Sequence, residues 1–273
     1  MKTDFQTTVE ELGFSSVPIF TIQRQGRTPY LVGSGTYYRH QQHLYLITAR
    51  HVVDELNDGF ISTSGNKGFI RFQPEMAAFN YVMGNGRDHD LCVIRIPDEV
   101  VGHIHPQLRI AEVSQVGTVE PYDKLTLYAF VGYPHSRNKP KPHHVVSKLD
   151  IKPFYYVVRE FRDVATLDSP DKSPELHIGF NAPFEKATDA ALQVRVKPPT
   201  PKGISGCGVW RLRLNRSGMV TDCRLVGVGI EYLSVDKAFI ATRIEWAISA
   251  ISQHCNHRDA KPSAEPYGLP ADR

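Results

Sequence analysis

The sequence predicts an all-β protein, either a sandwich or a barrel, that is closed by one C-terminal helix. Short runs of apolar, β-branched and aromatic residues follow one another along most of the chain, with Gly, Pro, Asn and Asp between them. This pattern is typical of antiparallel strands joined by turns. No alternation of strand and helix patterns indicates a parallel sheet. The predicted strands span residues 17–22, 30–38, 43–48, 68–72, 91–96, 125–131, 154–158, 176–180, 192–196, 208–214, 225–230 and 238–241.

Helical patterns occur only at the two ends of this strand-rich region. The first dozen residues are weakly helical, and residues 243–255 place Ile244, Ala247 and Ile251 at helical spacing. The tail 257–273 is polar and rich in proline, so we expect it to be disordered.

A polar stretch near residues 114–122 separates two strand-rich halves. We therefore predict an N-terminal domain over 14–116 and a C-terminal domain over 117–256. A chain of this length is long enough for each half to form its own core.

Charge and cysteine usage exclude several classes of protein. The formal net charge of +3 is small, which argues against a nucleic-acid or membrane partner. The N-terminus carries acidic residues and no apolar signal segment, so we expect a cytoplasmic protein. No two cysteines form a CxxC pair, so zinc binding is not predicted, and reduced thiols are favoured over two disulfides. The cysteines are Cys92, Cys207, Cys223 and Cys255.

Three segments carry residues with catalytic chemistry. In LYLITARHVVDEL, His51 follows a predicted strand, and in GRDHDLCVIRI, Asp90 directly precedes one, with Asp88 as a nearby competitor. In PKGISGCGVWRL, Ser205 lies among glycines that include Gly203. Taken singly, these are a packed or solvated histidine, a turn aspartate and a glycine-rich turn.

Together the three segments fit one catalytic device. A serine hydroxyl is a poor nucleophile, and histidine is the base whose pKa lies near neutrality. A carboxylate would hold the imidazole of His51 in the useful tautomer, which is the role we predict for Asp90. Glycine permits the backbone to curl, so the amides of Gly203 and Ser205 are predicted to stabilise an oxyanion.

The order His51, Asp90, Ser205 and the surrounding motifs TA-x-H, D-L-x-V-I and G-x-S-G-x-G resemble the trypsin-like serine peptidases. The flanking elements GSGTYYR, FVGYP, GVGIEY and ATRIEWAIS are also similar to that family. The resemblance implies two six-stranded antiparallel β-barrels of the chymotrypsin type, with the active site between them. It also implies a protein or peptide substrate and no metal or organic cofactor. The substrate strand is expected along Gly227, Val228, Gly229 and Ile230.

The sequence departs from digestive members of that family. Ile204 replaces the aspartate that pairs with a new N-terminus after zymogen cleavage, so we predict activity without N-terminal processing. In this respect the chain resembles intracellular bacterial members. Viral relatives use cysteine as the nucleophile. Here Gly203 and Gly206 occupy the two glycine positions that the motif requires around Ser205, so Ser205 is preferred to Cys207. Near the expected primary pocket, Pro199 and Thr200 offer no charge, which does not support a preference for basic residues.

The sequence therefore predicts a serine endopeptidase that forms an acyl-enzyme. Three alternatives stay open: a catalytically silent pseudo-peptidase that binds peptides, a peptidase that acts on itself or on one partner, and a β-barrel interaction module. Reaction with a fluorophosphonate separates the first alternative from an active enzyme, because the probe labels only an activated serine.

Overall fold

We describe a computed structural model of the chain. It describes residues 4–22, 29–56, 59–62, 69–71, 89–101, 109–121, 123–138, 151–159, 161–169, 171–182, 188–189, 194–195 and 199–259. The competing Asp88 and the tail from residue 260 onward lie outside these described residues.

The described part of the chain is mostly β-structure, as the sequence predicts. The strands are β1 (Ser16–Ile22), β2 (Pro29–His40), β3 (His43–Thr48), β4 (Gly59–Ser62), β5 (Phe69–Arg71), β6 (Cys92–Ile96), β7 (Ala111–Glu112), β8 (Thr126–Gly132), β9 (Phe154–Val158), β10 (Phe161–Arg162), β11 (His177–Asn181), β12 (Thr188–Asp189), β13 (Val194–Arg195), β14 (Gly208–Leu214), β15 (Val220–Leu233) and β16 (Ala238–Arg243). The helices are α1 (Phe5–Gly13), α2 (Arg50–Asp54), α3 (Asp98–Val101) and α4 (Ile244–Asp259).

The strands form two large sheets. The first runs in the order β5-β4-β1-β2-β3-β6, and the short β7 pairs in parallel with β2. The second runs in the order β10-β11-β16-β15-β14-β8-β9 and is antiparallel throughout. Within the described residues each sheet therefore has seven strands rather than the predicted six. The extra members β7 and β10 have two residues each.

Each sheet has an apolar core of its own. Aliphatic side chains dominate the first core, which includes Ile19, Leu44 and Ile94. Aromatic side chains dominate the second, where the rings of Phe130 and Phe239 stack with centroids 4.5 Å apart. Close packing of large side chains on the inner face is the main stabilising contribution in a β protein of this kind.

A third apolar cluster joins the two sheets, and both terminal helices cover it. Strand residues such as Tyr38 and Trp210 belong to it, together with Val9 of α1 and Ala247 of α4. Asp4 caps the N-terminus of α1, and its side chain accepts a hydrogen bond from the amide of Thr7. The predicted N-terminal and C-terminal helical segments are thus both present, and each packs against strands of the fold.

Candidate active site

A cleft between the two sheets brings the predicted catalytic residues together. Its volume is about 640 Å³. His51 and Asp90 line it from the side of the first sheet, and Ser205 lines it from the side of the second. The remaining lining residues are Phe130, Thr200, Pro201, Lys202, Ile204, Gly229, Ile230, Glu231, Tyr232, Ser234 and Phe239.

His51 and Asp90 are joined by two hydrogen bonds. The ring Nδ1 of His51 lies 2.7 Å from Oδ2 of Asp90, and the backbone amide of His51 donates to Oδ1 over 2.9 Å. A carboxylate can only accept, so Nδ1 carries the proton in this pair. The neutral imidazole then has its lone pair on Nε2, which is the tautomer a general base needs.

The surroundings of His51 raise its pKa. Burial alone lowers the pKa, because the charged ring loses water. The hydrogen bond and the negative charge of Asp90 raise the pKa, and the carboxylates of Glu55 and Glu231 raise it further. Together these contributions outweigh the lowering by burial. The protonated imidazolium that forms during proton transfer is therefore stabilised by its neighbours.

The backbone around Asp90 is held on both sides. Asp90 has a φ of +46°, a left-handed conformation that aspartate tolerates better than most residues. Its carbonyl accepts from the amide of Arg50 over 3.2 Å. One residue earlier, the carbonyl of His89 accepts from the hydroxyl of Thr242 over 2.7 Å. Contacts from α2 and from β16 thus fix the carboxylate where it can meet His51.

The hydroxyl of Ser205 points towards β15. It donates to the carbonyl of Ile230, with Oγ and O 3.2 Å apart. Within the described residues no hydrogen bond joins it to His51. Catalytic hydrogen bonds are often loose or absent in unliganded structures and tighten when a substrate is bound.

The amides on the Ser205 loop alternate between paired and unpaired. The amides of Ile204, Gly206 and Cys207 donate to the carbonyls of Pro201, Gly229 and Ile204. Those of Gly203 and Ser205 donate to no acceptor in the described part of the chain. Two neighbouring unpaired amides of this kind are rare in a folded protein, and an oxyanion hole requires them.

The direction of these two amides follows from the peptide planes. All described peptide bonds are trans, so the N–H of each residue points opposite to the preceding carbonyl. The carbonyl of Lys202 accepts from the amide of His135 over 2.7 Å, and that of Ile204 accepts from Cys207 over 2.9 Å. Both carbonyls bond to the protein scaffold, which turns the amides of Gly203 and Ser205 away from those scaffold contacts.

Glycine is required at residue 203. Its φ is +94°, which disfavours any residue with a Cβ atom. A Cβ there would also lie 2.9 Å from the amide nitrogen of His135 and 2.9 Å from the carbonyl oxygen of Tyr133. The close approach that positions the peptide plane thus leaves no space for a side chain.

Cys207 is enclosed in the second sheet. Its side chain is fully buried, and burial raises the pKa of its thiol to about 12. A thiol that stays protonated and has no access to the cleft cannot serve as a nucleophile. Within the described residues, Cys92, Cys207 and Cys223 form no disulfide.

The pairing of β15 bears on the predicted substrate strand. Gly227 and Val228 pair with β14 on one side and with β16 on the other. The amide and carbonyl of Gly229 bond to the carbonyl of Cys207 and the amide of Gly206. Gly227 and Val228 therefore lie inside the sheet, whereas Gly229 and Ile230 line the cleft, with the backbone amide and carbonyl of Gly229 already paired. The sequence places this motif in the right strand but does not show where β14 ends.

Beyond Gly229, β15 has one available edge. A register shift separates Gly229 from Glu231, and the segment 231–233 pairs only with β16 among the described strands. The other edge of this segment faces the cleft, beside Ser205.

Aromatic and aliphatic side chains contribute to the lining of the cleft. Phe130 and Phe239 are lining residues that are almost fully buried, and the ring of Tyr232 lies 5.1 Å from that of Phe239. Thr200 is a lining residue, as predicted for the primary pocket, whereas the carbonyl of Pro199 is tied to the hydroxyl of Tyr156 over 2.9 Å. The sequence patterns gave no indication of the two phenylalanines, because they come from distant strands.

A small group of charged side chains adjoins the cleft through Glu231. The ammonium of Lys172 contacts Asp171 at 2.8 Å and Glu231 at 3.7 Å, and only 12% of its side chain is exposed. Glu231 thus has a charged partner and lines the cleft.

No three metal-ligating side chains meet among the residues that the structure describes. In the same part of the chain, no helix combines the length and apolar character needed to cross a membrane.

Solved structures provide the comparison with known proteins. The HtrA-type protease AlgW with a decapeptide superposes with a TM-score of 0.53 at 11% identity, covering 93% of this chain and 68% of that one. The chain has a trypsin-like serine protease fold. AlgW with a tripeptide gives a TM-score of 0.51 at 12% identity over 93% of this chain and 64% of that one. The serine endoprotease from Yersinia pestis gives 0.50 at 12% identity over 92% and 66%.

These likenesses are likenesses of fold. The chain spans about two thirds of the length of these HtrA-type and endoprotease structures. The sequence matches no family model and no curated protein at a significant level. The chymotrypsin-like architecture and the C-terminal helix predicted from the sequence are confirmed.

Proposed function

We propose that the chain is a serine endopeptidase with His51, Asp90 and Ser205 as its catalytic triad. One arrangement supports this proposal above all: the His51–Asp90 pair faces the same cleft as a serine whose loop has two unpaired amides. A cleft that serves only for binding has no need of a base, an orienting carboxylate and free backbone donors at one position.

The first half of the reaction forms an acyl-enzyme. The hydroxyl of Ser205 turns from the carbonyl of Ile230 towards Nε2 of His51 and transfers its proton there as Oγ attacks the peptide carbonyl. The amides of Gly203 and Ser205 donate to the oxyanion of the tetrahedral intermediate. His51 returns the proton to the leaving amine as the C–N bond breaks.

The second half regenerates the enzyme. Water loses a proton to His51 and attacks the ester carbonyl of the acyl-enzyme. The new tetrahedral intermediate collapses, the C–O bond to Ser205 breaks, and His51 returns the proton to Oγ. Asp90 stays ionised throughout and stabilises the imidazolium.

We further propose that the substrate backbone adds as a strand to the free edge of β15, over residues 230–233. Backbone hydrogen bonds would then give affinity that is largely independent of sequence. The AlgW structures contain a tripeptide and a decapeptide, which is consistent with this mode of binding in proteins of this fold.

The cleft favours an apolar residue before the scissile bond. The lining residues Phe130 and Phe239 carry no charge and their side chains offer no hydrogen-bonding groups. A charged side chain placed against these rings would lose its water without gaining a partner. The charged lining residues Lys202 and Glu231 come from the adjoining loop and from the free edge of β15.

Labelling with a fluorophosphonate tests the catalytic proposal. The full-length wild-type protein should react covalently, and mass spectrometry should place the label on Ser205. Ser205→Ala should not react, whereas Ser217→Ala, which changes an exposed serine in the β14–β15 turn, should react like the wild type. An unlabelled wild-type protein would contradict the proposal.

The second candidate function is a peptide-binding pseudo-peptidase. The hydrogen bond from Ser205 to Ile230, rather than to His51, is the observation that favours it. In that case peptides would bind to the wild type without cleavage, and the fluorophosphonate would leave Ser205 unmodified.

The same labelling experiment addresses activation. Ile204 is buried and carries no charge for a new N-terminus to pair with. Contacts made by Ser34 and His135 hold the loop instead. We therefore expect the full-length chain to react without N-terminal trimming.

A further inference from the structure

Ser34 makes four hydrogen bonds at the point where the two sheets meet. It lies in β2, in the GSG motif of the first sheet, and its side chain is fully buried. Its amide donates to the carbonyl of Ser205 over 2.8 Å, and its hydroxyl donates to the carbonyl of Gly203 over 2.9 Å. The hydroxyl also accepts from the amide of Tyr133 over 2.9 Å, and the Ser34 carbonyl accepts from Thr48 over 2.7 Å.

These bonds define the direction of the Ser34 hydroxyl. The amide of Tyr133 can only donate, so Oγ of Ser34 must act there as the acceptor. Its proton is then directed to the carbonyl of Gly203. A buried side chain with one donor and one acceptor, both used, has a single stable rotamer.

The two carbonyls that Ser34 contacts lie beside the two unpaired amides. Binding the carbonyl of Gly203 fixes the peptide plane between residues 203 and 204. Binding the carbonyl of Ser205 fixes the plane between 205 and 206. The loop from Gly203 to Gly206 is therefore anchored to the first sheet, which also carries His51 on the helix after β3.

We propose that Ser34 is a positioning residue. It fixes the positions of the Gly203 and Ser205 amides, and of the Ser205 side chain, relative to the imidazole of His51. This inference rests on the proposed peptidase function. Ser34 does not touch the substrate. It acts through the loop, and a shift of that loop by a fraction of an ångström would weaken binding of the transition state more than binding of the ground state.

The test compares Ser34→Ala with Ser16→Ala. Ser16 is a matched control because it is a buried serine on the neighbouring strand β1, and its hydroxyl donates to the carbonyl of Gly35 within the first sheet. Both variants lose one buried hydroxyl, and Ser34→Ala should lose more stability because the Ser34 hydroxyl makes two hydrogen bonds and the Ser16 hydroxyl makes one. In Ser34→Ala the hydrogen bond from the backbone amide of residue 34 to the carbonyl of Ser205 remains, so the variant should fold.

We expect Ser34→Ala to lower kcat by about tenfold to a hundredfold, with KM changed less than about threefold. Affinity for a peptide boronic acid, which mimics the tetrahedral intermediate, should fall by the same factor as kcat/KM. Affinity for the corresponding product peptide should not. A loss of kcat in Ser34→Ala no larger than in Ser16→Ala would overturn the proposal.

Failure of the underlying function gives a different result. If the wild type is not labelled by the fluorophosphonate, the peptidase proposal fails, and the role of Ser34 is then judged from amide resonances. Ser34→Ala should shift the amide signals of Gly203 and Ser205 strongly, whereas Ser16→Ala should not. Equal shifts in the two variants would overturn the positioning role in the absence of any activity.

Discussion

Both carboxylate oxygens of Asp90 accept hydrogen bonds from His51, one from the imidazole and one from the backbone amide of His51. The second bond ties the carboxylate to the start of α2 and restricts its rotation. The ring is thereby held in one orientation before any substrate arrives, which reduces the reorganisation needed for catalysis.

Asp90→Asn should lower kcat by a factor on the order of 10³–10⁴. The asparagine oxygen can still accept from the backbone amide of His51, so the fold should be retained. Its NH₂ group would then face Nδ1 and favour the tautomer with the proton on Nε2, which cannot accept a proton from Ser205. Hydrolysis of a peptide substrate and thermal unfolding measure the two effects. Asp171→Asn, at an exposed carboxylate nearby, is the control and should keep its activity.

Gly203→Ala should abolish activity and destabilise the protein. A left-handed alanine costs about 1–2 kcal/mol, and the contacts with His135 and Tyr133 add about 1–3 kcal/mol of overpacking. Gly218→Ala separates the cost of the positive φ from the cost of the steric contacts. Gly218 also has a positive φ, +79°, but nothing lies within 4 Å of its added Cβ. Denaturant unfolding should show a distinctly larger loss for Gly203→Ala. Equal losses of unfolding free energy in the two variants would mean that the Gly203 loop can shift to accommodate the added Cβ.

The acid limb of the pH–rate profile should lie above the pKa of an ordinary histidine. His51 acts as a base only when neutral, and its pKa is raised by Asp90, Glu55 and Glu231 against the opposing effect of burial. Removing one negative charge in Glu231→Gln should lower the pKa of His51 and move the acid limb to lower pH. Glu10→Gln, on the exposed face of α1, should leave the profile unchanged. A shift of the profile to higher pH in Glu231→Gln would contradict this electrostatic explanation.

Peptides with an apolar residue before the scissile bond should be cleaved at least about 100-fold more efficiently than those with Lys, Arg, Asp or Glu there. The expected discrimination is about 3 kcal/mol, within the range for burying a charge without a partner. Measuring kcat/KM over a series that varies this residue alone provides the test. Binding of product peptides to Ser205→Ala, compared between C-terminal Leu and C-terminal Lys, repeats it without catalysis. A preference for the basic series would assign the pocket to Glu231 instead of the phenylalanine rings.

Cys207→Ala should retain most of the activity, and iodoacetamide should not inactivate the folded wild type. The thiol is buried and its pKa is raised to about 12, so it is neither accessible nor ionised near neutral pH. Replacement by alanine leaves a small cavity and should cost about 1–2 kcal/mol of stability. Loss of activity on alkylation of Cys207 would return it to consideration as the nucleophile.

The strand pattern and the order of the catalytic motifs could be predicted from the sequence. Apolar alternation reports which segments form strands, and a histidine after β3 or an aspartate before β6 is visible beside those strands. The strands β4, β7, β10 and β12 escaped prediction. Three of them, β7, β10 and β12, have two residues each, which are too few to show a period.

The pairing partners of a strand could not be predicted. The motif containing Gly227 was correctly placed in a strand, but the sequence does not show that β14 pairs with that strand as far as Val228. Ser34 was missed for a related reason. A serine within a strand looks like an ordinary small residue until the fold brings the carbonyls of Gly203 and Ser205 beside it.

Buried hydrogen bonds join the two sheets at two places, from Ser34 to the Ser205 loop and from Thr242 to the carbonyl of His89. The cleft cannot widen by a hinge motion of the sheets without breaking these buried hydrogen bonds. A polypeptide must therefore enter it as a single extended chain. We therefore expect compact globular proteins to survive exposure to this chain until heat, damage or incomplete synthesis leaves one of their segments unravelled.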